Sequence, residues 1–173
     1  MRNGTSVRIA PSILNADANP DFFLEEFVAA GSDSFLLHWK GDSNLHRTVE
    51  PIRALGKRAG VAINPATPAS VLEEILPDVN QALVMTVDPG FGHQPFLHST
   101  LPKIRRVFPM LERIQPEWEL GVDEGMDEVT APLVVAAGAN VLAAGSSIFA
   151  SDAGVGAAME TLRAAVTPPS TVH

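Results

Sequence analysis

Three side chains have the types and positions to move protons. Asp123 follows the apolar stretch Glu117 to Val122, so it stands at the C-terminal end of an expected strand. Burial at such a point raises a carboxyl pKa toward that of a useful base, whereas neighbouring cations lower it. Its structural alternative is a carboxylate that accepts backbone hydrogen bonds. His38 and Lys40 form the second group, in Leu37-His38-Trp39-Lys40. Strand alternation predicts that they share one face and that Trp39 takes the other. A desolvated lysine can act as a Schiff-base nucleophile or hold an anion; the ordinary role is solvation or pairing with a carboxylate such as Asp42. His38 either lines a pocket or is a satisfied inner histidine. His46 reads as part of a helix start, and His98 and His173 as surface or tail residues. The sequence has no nucleophile elbow, Walker motif, GxGxxG or HExxH.

The elements that must position these groups alternate regularly. Short apolar strands are expected at Ile9 to Leu14, Phe35 to Trp39, Val61 to Asn64, Gln81 to Val87, Glu117 to Val122 and Asn140 to Ala144. Between them helices are expected from an Asp21 N-cap to Ala30, from Leu45 to Ala59 closed by Gly60, from Pro68 to Leu76, from Leu101 to Ile114 with a break near Pro109, from Thr130 to Ala137 stopped by Gly138, and from Gly154 to Ala165. Strand–helix alternation implies parallel strands joined by right-handed crossovers. The single domain is expected to span residues 1–166, with a disordered tail over 167–173.

Composition narrows the function classes. With 173 residues, 46% hydrophobic and 18% charged, the chain can bury a core as one domain. The net charge of −8 and the absence of a basic patch argue against nucleic acid as a partner. The chain has no cysteine, which removes disulfides, thiolate nucleophiles and Cys-based zinc sites. No signal-peptide core or membrane-length apolar run is seen, so a soluble cytoplasmic protein without a membrane partner is expected.

Several strings carry a resemblance: Ala10-Pro11-Ser12-Ile13-Leu14, Asn44-Leu45-His46-Arg47-Thr48, Gly60-Val61-Ala62-Ile63-Asn64-Pro65-Ala66-Thr67-Pro68, Val87-Asp88-Pro89-Gly90-Phe91-Gly92-His93-Gln94, Val122-Asp123-Glu124-Gly125 and Ala144-Gly145-Ser146-Ser147-Ile148-Phe149. In this order they resemble the ribulose-phosphate 3-epimerase family, nearly continuously from Asp21 onward. The resemblance implies a β/α-barrel-derived fold. A (β/α)8 barrel typically needs roughly 250 residues, so about six parallel strands are expected here, in an incomplete or contracted barrel.

The family implies further roles. Gly90, Gly125, Gly145 and Ser146 match positions whose backbone N–H groups hold a substrate phosphate, where glycine permits close approach. Ser12, Asn64 and Met85 match pocket-lining positions. Glu124 stands where the family has Gly, as does His93, and Lys40 stands where it has an acidic residue. In the family the second and third strands supply three ligands of a divalent metal and one of two catalytic acids. The first strand here is joined almost directly to the third helix, so only Asp123 has a counterpart in that set. One carboxylate does not make a two-base inversion, and one ligand does not make a catalytic metal site. The expectation is therefore a repurposed enzyme with no metal or other cofactor, acting by proton transfer, isomerisation or cyclisation on a small anionic or carbonyl substrate, phosphorylated or not. The alternatives are retained ribulose 5-phosphate epimerase activity with a site completed by a partner chain, and a non-catalytic scaffold. Open sheet edges attract strands of a second copy, so a homodimer is expected.

Overall fold

The computed structural model describes residues 24–41, 43–88, 90, 94–114 and 117–167. Five strands, β1 (Ser34–His38), β2 (Arg58–Ile63), β3 (Gln81–Met85), β4 (Glu119–Asp123) and β5 (Val141–Ala143), form one sheet in sequence order. Every pairing is parallel. Among the described residues are six α-helices: α1 (Leu24–Ala29) precedes β1, α2 (Leu45–Ala54), α3 (Leu101–Glu112) and α4 (Ala131–Ala136) lie in connections between strands, and α5 (Ser146–Phe149) and α6 (Val155–Val166) follow β5. Among the described residues β1 and β5 are the ends of the sheet, which does not close into a barrel. The expected strand at Ile9 to Leu14, the Asp21 cap and residues 168–173 lie outside the described residues. Thr167 closes α6, its amide and hydroxyl both donating to the Arg163 carbonyl. No helix among the described residues is long and apolar enough to cross a membrane.

The pleat sorts the strands into two faces. Phe35, Leu37, Ala59, Val61, Ile63, Ala82, Val84, Leu120 and Val122 join α2 (Val49, Ile52), α3 (Ile104, Val107, Leu111) and α4 (Val134) in one buried cluster. Burying each such Val, Leu or Ile side chain contributes roughly 1.5–3 kcal/mol. The opposite face is a second, register-matched set: His38 pairs with Ala62, Ala62 with Leu83, Leu83 with Gly121, and Asp123 with both Met85 and Ala143. At the N-terminal end of that face Arg58 reaches across to Glu119 at 2.7 Å. Leu36, on the same face of the edge strand, is 44% exposed.

The largest departures from the expected boundaries lie on either side of β2. α2 ends at Ala54, not Ala59: Gly56 (φ 69°) turns the chain, and the Lys57 amide donates back to the Ile52 carbonyl. Gly60 is no helix stop but a strand residue at a close approach, where a Cβ would lie 2.9 Å from the Leu36 side chain. In place of one helix over Pro68 to Leu76 the chain forms two short 3-10 turns, Ala69–Leu72 and Leu76–Asp78, the second with Pro77 in its first turn, where a missing amide costs nothing. Conversely, Pro109 does not break α3, whose Ile104, Val107 and Leu111 are fully buried along one side.

Candidate functional site

The C-terminal ends of the strands gather most of the candidates. His38, Met85 and Asp123 are the last residues of β1, β3 and β4, and Asn64 follows β2 directly. The register places His38, Met85 and Asp123 on the face opposite the helices. His38 and Asp123 are separated by three strand spacings of about 4.8 Å, so they border one surface without touching.

Asp123 is held from behind. The buried Thr86, next after β3, donates its amide to the Asp123 carbonyl at 3.0 Å. Its hydroxyl lies 2.7 Å from that carbonyl and 2.5 Å from the Glu124 carbonyl. Burial pushes the Asp123 carboxyl above its ordinary range, opposed by the Glu124 amide that donates to it. Glu124 has φ 70°, the only positive φ outside glycine among the described residues. The backbone at this position thus has the conformation that the family's glycine suits, and the strain of a side chain there is of order 1–3 kcal/mol. Gly125 follows at φ 67°, and a Cβ on it would lie 3.1 Å from the Phe96 Cα. Its carbonyl accepts the Thr130 hydroxyl at 2.8 Å. Asp127 in turn accepts the Thr130 amide, and after it the Val129 amide, and these hold its carboxyl below the usual range.

Thr86 and Thr130 were not apparent as site residues from the sequence. The Asp127-x-x-Thr130 spacing is a readable cap; Thr86 carries no local signal, because its partners come from another strand.

His38 is also fixed. Its Nδ1 accepts the Lys40 amide at 3.2 Å, which leaves the proton of the neutral ring on Nε2. That Nε2 is buried and has no hydrogen-bond partner among the described residues. Burial first, and the Lys40 charge second, lower the His38 pKa, so the ring is neutral near neutral pH. Asn64 is buried and its side chain is committed: its Oδ1 accepts the Thr67 hydroxyl at 2.7 Å. Lys103 from α3 braces the same turn, donating to the Asn64 and Pro65 carbonyls at 2.8 and 2.7 Å.

Lys40 is not brought to Asp123. The chain turns immediately after β1, with the Gly41 amide donating to the His38 carbonyl, so strand alternation stops before Lys40. Lys40 instead joins Trp39 in lining a cavity of about 500 Å³ between the β1–α2 loop and the segment after β2. Neither His38 nor Asp123 lines it.

Gly90, Gly125 and Gly145 follow β3, β4 and β5 in turn. Gly145 and Ser146 are exposed at the start of α5, a helix not expected from the sequence, and the neighbouring Ser147 Oγ is buried without a partner among the described residues. Ser12 and His93 lie outside the described residues.

The described residues do not fit the divalent metal that the family implies. No three His, Asp or Glu side chains among them gather into a ligand group, and the sheet neighbours of Asp123 are Met85 and Ala143.

Comparison with known proteins agrees with this fold. The sequence model of the Ribulose-phosphate 3 epimerase family matches residues 17–149. The chain is 44% identical to ribulose-phosphate 3-epimerase of Bacillus subtilis (strain 168) over 124 residues, which are 71% of this chain and 57% of that protein. It is 43% identical to the Rhodobacter capsulatus enzyme of the same name over 121 residues, 70% of this chain and 52% of the relative. The chain thus spans about half the length of these curated relatives. Among solved structures, a 3-hexulose-6-phosphate synthase superposes with a TM-score of 0.64 at 22% identity, covering 85% of this chain and 68% of the other. Orotidine 5'-monophosphate decarboxylase from Sulfolobus solfataricus gives 0.60 at 15% identity, covering 86% and 69%. At those identities the likeness concerns the fold alone. The sequence matches establish the kinship: this chain belongs to the ribulose-phosphate 3-epimerase family.

Proposed function

We propose that this chain is an epimerase-family enzyme whose own residues carry one half of a proton-transfer reaction on a small carbonyl compound, in the first instance a pentulose phosphate. The carrying observation is Asp123, a half-buried carboxyl with raised proton affinity at the C-terminal end of a parallel strand. Active sites of β/α barrels lie at that end. The ionised carboxylate takes the proton from the carbon beside the carbonyl, giving an enediolate, and returns it to the same face. Thr86 and Gly125 keep the carboxyl in place. His38 is favoured over Lys40 as the partner group, because it lies on the same face and offers an Nε2 proton from a neutral ring. Gly90, Gly125, Gly145 and Ser146 are suited to the phosphate by family analogy, with Glu124 reducing the affinity for it.

A single acid exchanges a proton but does not invert the carbon, since inversion needs a second acid on the opposite face. The test is ribulose 5-phosphate in D2O, followed by NMR. Deuterium should enter at C3 faster than xylulose 5-phosphate forms, and Asp123→Asn should abolish the exchange. Equal rates of exchange and inversion would mean that a second chain supplies the missing acid. Exchange no faster than in Asp123→Asn would leave a binding or scaffold protein. The open sheet favours a homodimer, tested by light scattering at micromolar concentration, where a monomer would refute it.

A further inference from the structure

The cavity beside Lys40 is unaccounted for by the reaction at Asp123. Its apolar wall comes from Trp39, Leu45, Val71 and Ile75, of which Leu45 and Ile75 are buried. Over that wall stand an ammonium, Lys40, and a carboxylate, Glu74. The other polar groups nearby are engaged: His46 Nδ1 is 3.3 Å from Asp78, and Arg53 pairs with the same carboxylate. Among the described residues Lys40 and Glu74 close no ion pair, either with each other or with a third group.

Two opposite charges that line one apolar-walled cavity, with no ion pair among the described residues, define a ligand by complement. We infer that this cavity binds a small zwitterion with an apolar body, of the size and chemistry of an α-amino acid, its carboxylate toward Lys40 and its ammonium toward Glu74. The volume is of the order of small-molecule sites, about 300–1,000 Å³. Trp39 offers its ring both to the apolar body and to the ammonium. A simple anion would leave Glu74 repelling it, and a simple amine would leave Lys40 doing so. Selectivity for a ligand carrying both charges therefore follows from the pairing of the two residues.

The full chain is titrated with L-phenylalanine, 2-phenylethylamine and 3-phenylpropionate by calorimetry, with the Trp39 indole resonance reporting location. Each charge-assisted contact at a part-exposed site is worth about tenfold in affinity. L-phenylalanine should bind at millimolar concentration or below, about tenfold tighter than either single-charge analogue, and should shift the Trp39 indole. Lys40→Met should bring L-phenylalanine to the level of 2-phenylethylamine while leaving or improving binding of that amine. Glu74→Gln should do the converse with 3-phenylpropionate. Both side chains are exposed, and circular dichroism confirms that the variants fold. The inference is overturned if L-phenylalanine does not bind at millimolar concentration, if the three probes bind alike, if the indole does not respond, or if neither substitution changes the order of affinities.

Discussion

Gly125 and Gly56 make a controlled pair for the turn that holds Asp123. Their φ angles, 67° and 69°, are nearly the same. An added Cβ at Gly56 meets nothing within 4 Å, whereas at Gly125 it meets the Phe96 Cα at 3.1, Cβ at 3.2 and N at 3.3 Å. A left-handed residue other than glycine costs roughly 1–2 kcal/mol, offset by about 0.4–1 kcal/mol from the smaller freedom of alanine in the unfolded chain. Gly56→Ala should therefore destabilise by about 0.5–1 kcal/mol. At Gly125 most of the crowding atoms are main chain and do not swing aside, which adds about 1–3 kcal/mol of overpacking. Gly125→Ala should then lose about 2–4 kcal/mol in total. Equilibrium urea unfolding measures both, the comparison holding if the slopes agree and only the midpoints move. If the two variants fall within about 0.5 kcal/mol of each other, the Phe96 contact does not constrain the turn and the reasoning fails. Deuterium exchange at the substrate carbon should fall in Gly125→Ala and persist in Gly56→Ala.

Three further outcomes are expected. Asp123→Asn should raise stability near neutral pH, because burial opposes the charged form and raises the folded pKa. That penalty grows as pH rises from the unfolded value of 3.8 through the folded one, so the advantage should shrink as pH falls toward 3.8 in urea titrations at several pH values. Asp127→Ala should lose about 0.5–2 kcal/mol by removing the cap before α4. Since the Asp127 pKa is lowered, that contribution is present above 3.8 and vanishes as pH falls through the folded value. Lys103→Met keeps the aliphatic stem but strands the Pro65 carbonyl and leaves the Asn64 carbonyl with the Thr67 amide alone, and should cost about 1.5–3 kcal/mol in the same assay.

The β/α order and the location of Asp123 at a strand end were legible because both follow from local pattern: a short apolar run ending in a carboxylate, with Gly125 two residues on. The overlong helix at Leu45 to Ala59 shows where local pattern fails. Arg58, Ala59 and Gly60 have no intrinsic strand preference, and the β1 and β3 neighbours recruit them. Lys40 was misplaced for a related reason. The i, i+2 rule holds only while the strand lasts, and the Gly41 turn back to His38 is a four-residue event that alternation does not see. Thr86 was invisible because what it secures, the carbonyls of Asp123 and Glu124, is 37 and 38 residues away. Glu124, by contrast, was flagged by its departure from the family's glycine, and its left-handed backbone explains why glycine is the usual choice there.

Sequence-order pairing of the sheet has a consequence for how this chain is assembled and dismantled. Among the described residues each strand bonds only to the one before and the one after, so this sheet behaves as a linear array with nearest-neighbour couplings. Removing a unit from either end severs one ladder and leaves every other ladder intact, which is the condition for a piece of a barrel to keep its local structure. Protection should be graded accordingly. Amides of β2, β3 and β4, whose strands are paired on both sides, should exchange with solvent most slowly, and those of β1 and β5 first. Asp123 sits on the inner side of that gradient, one ladder in from the edge at β5, so the carboxyl retains a rigid support even when the last strand opens.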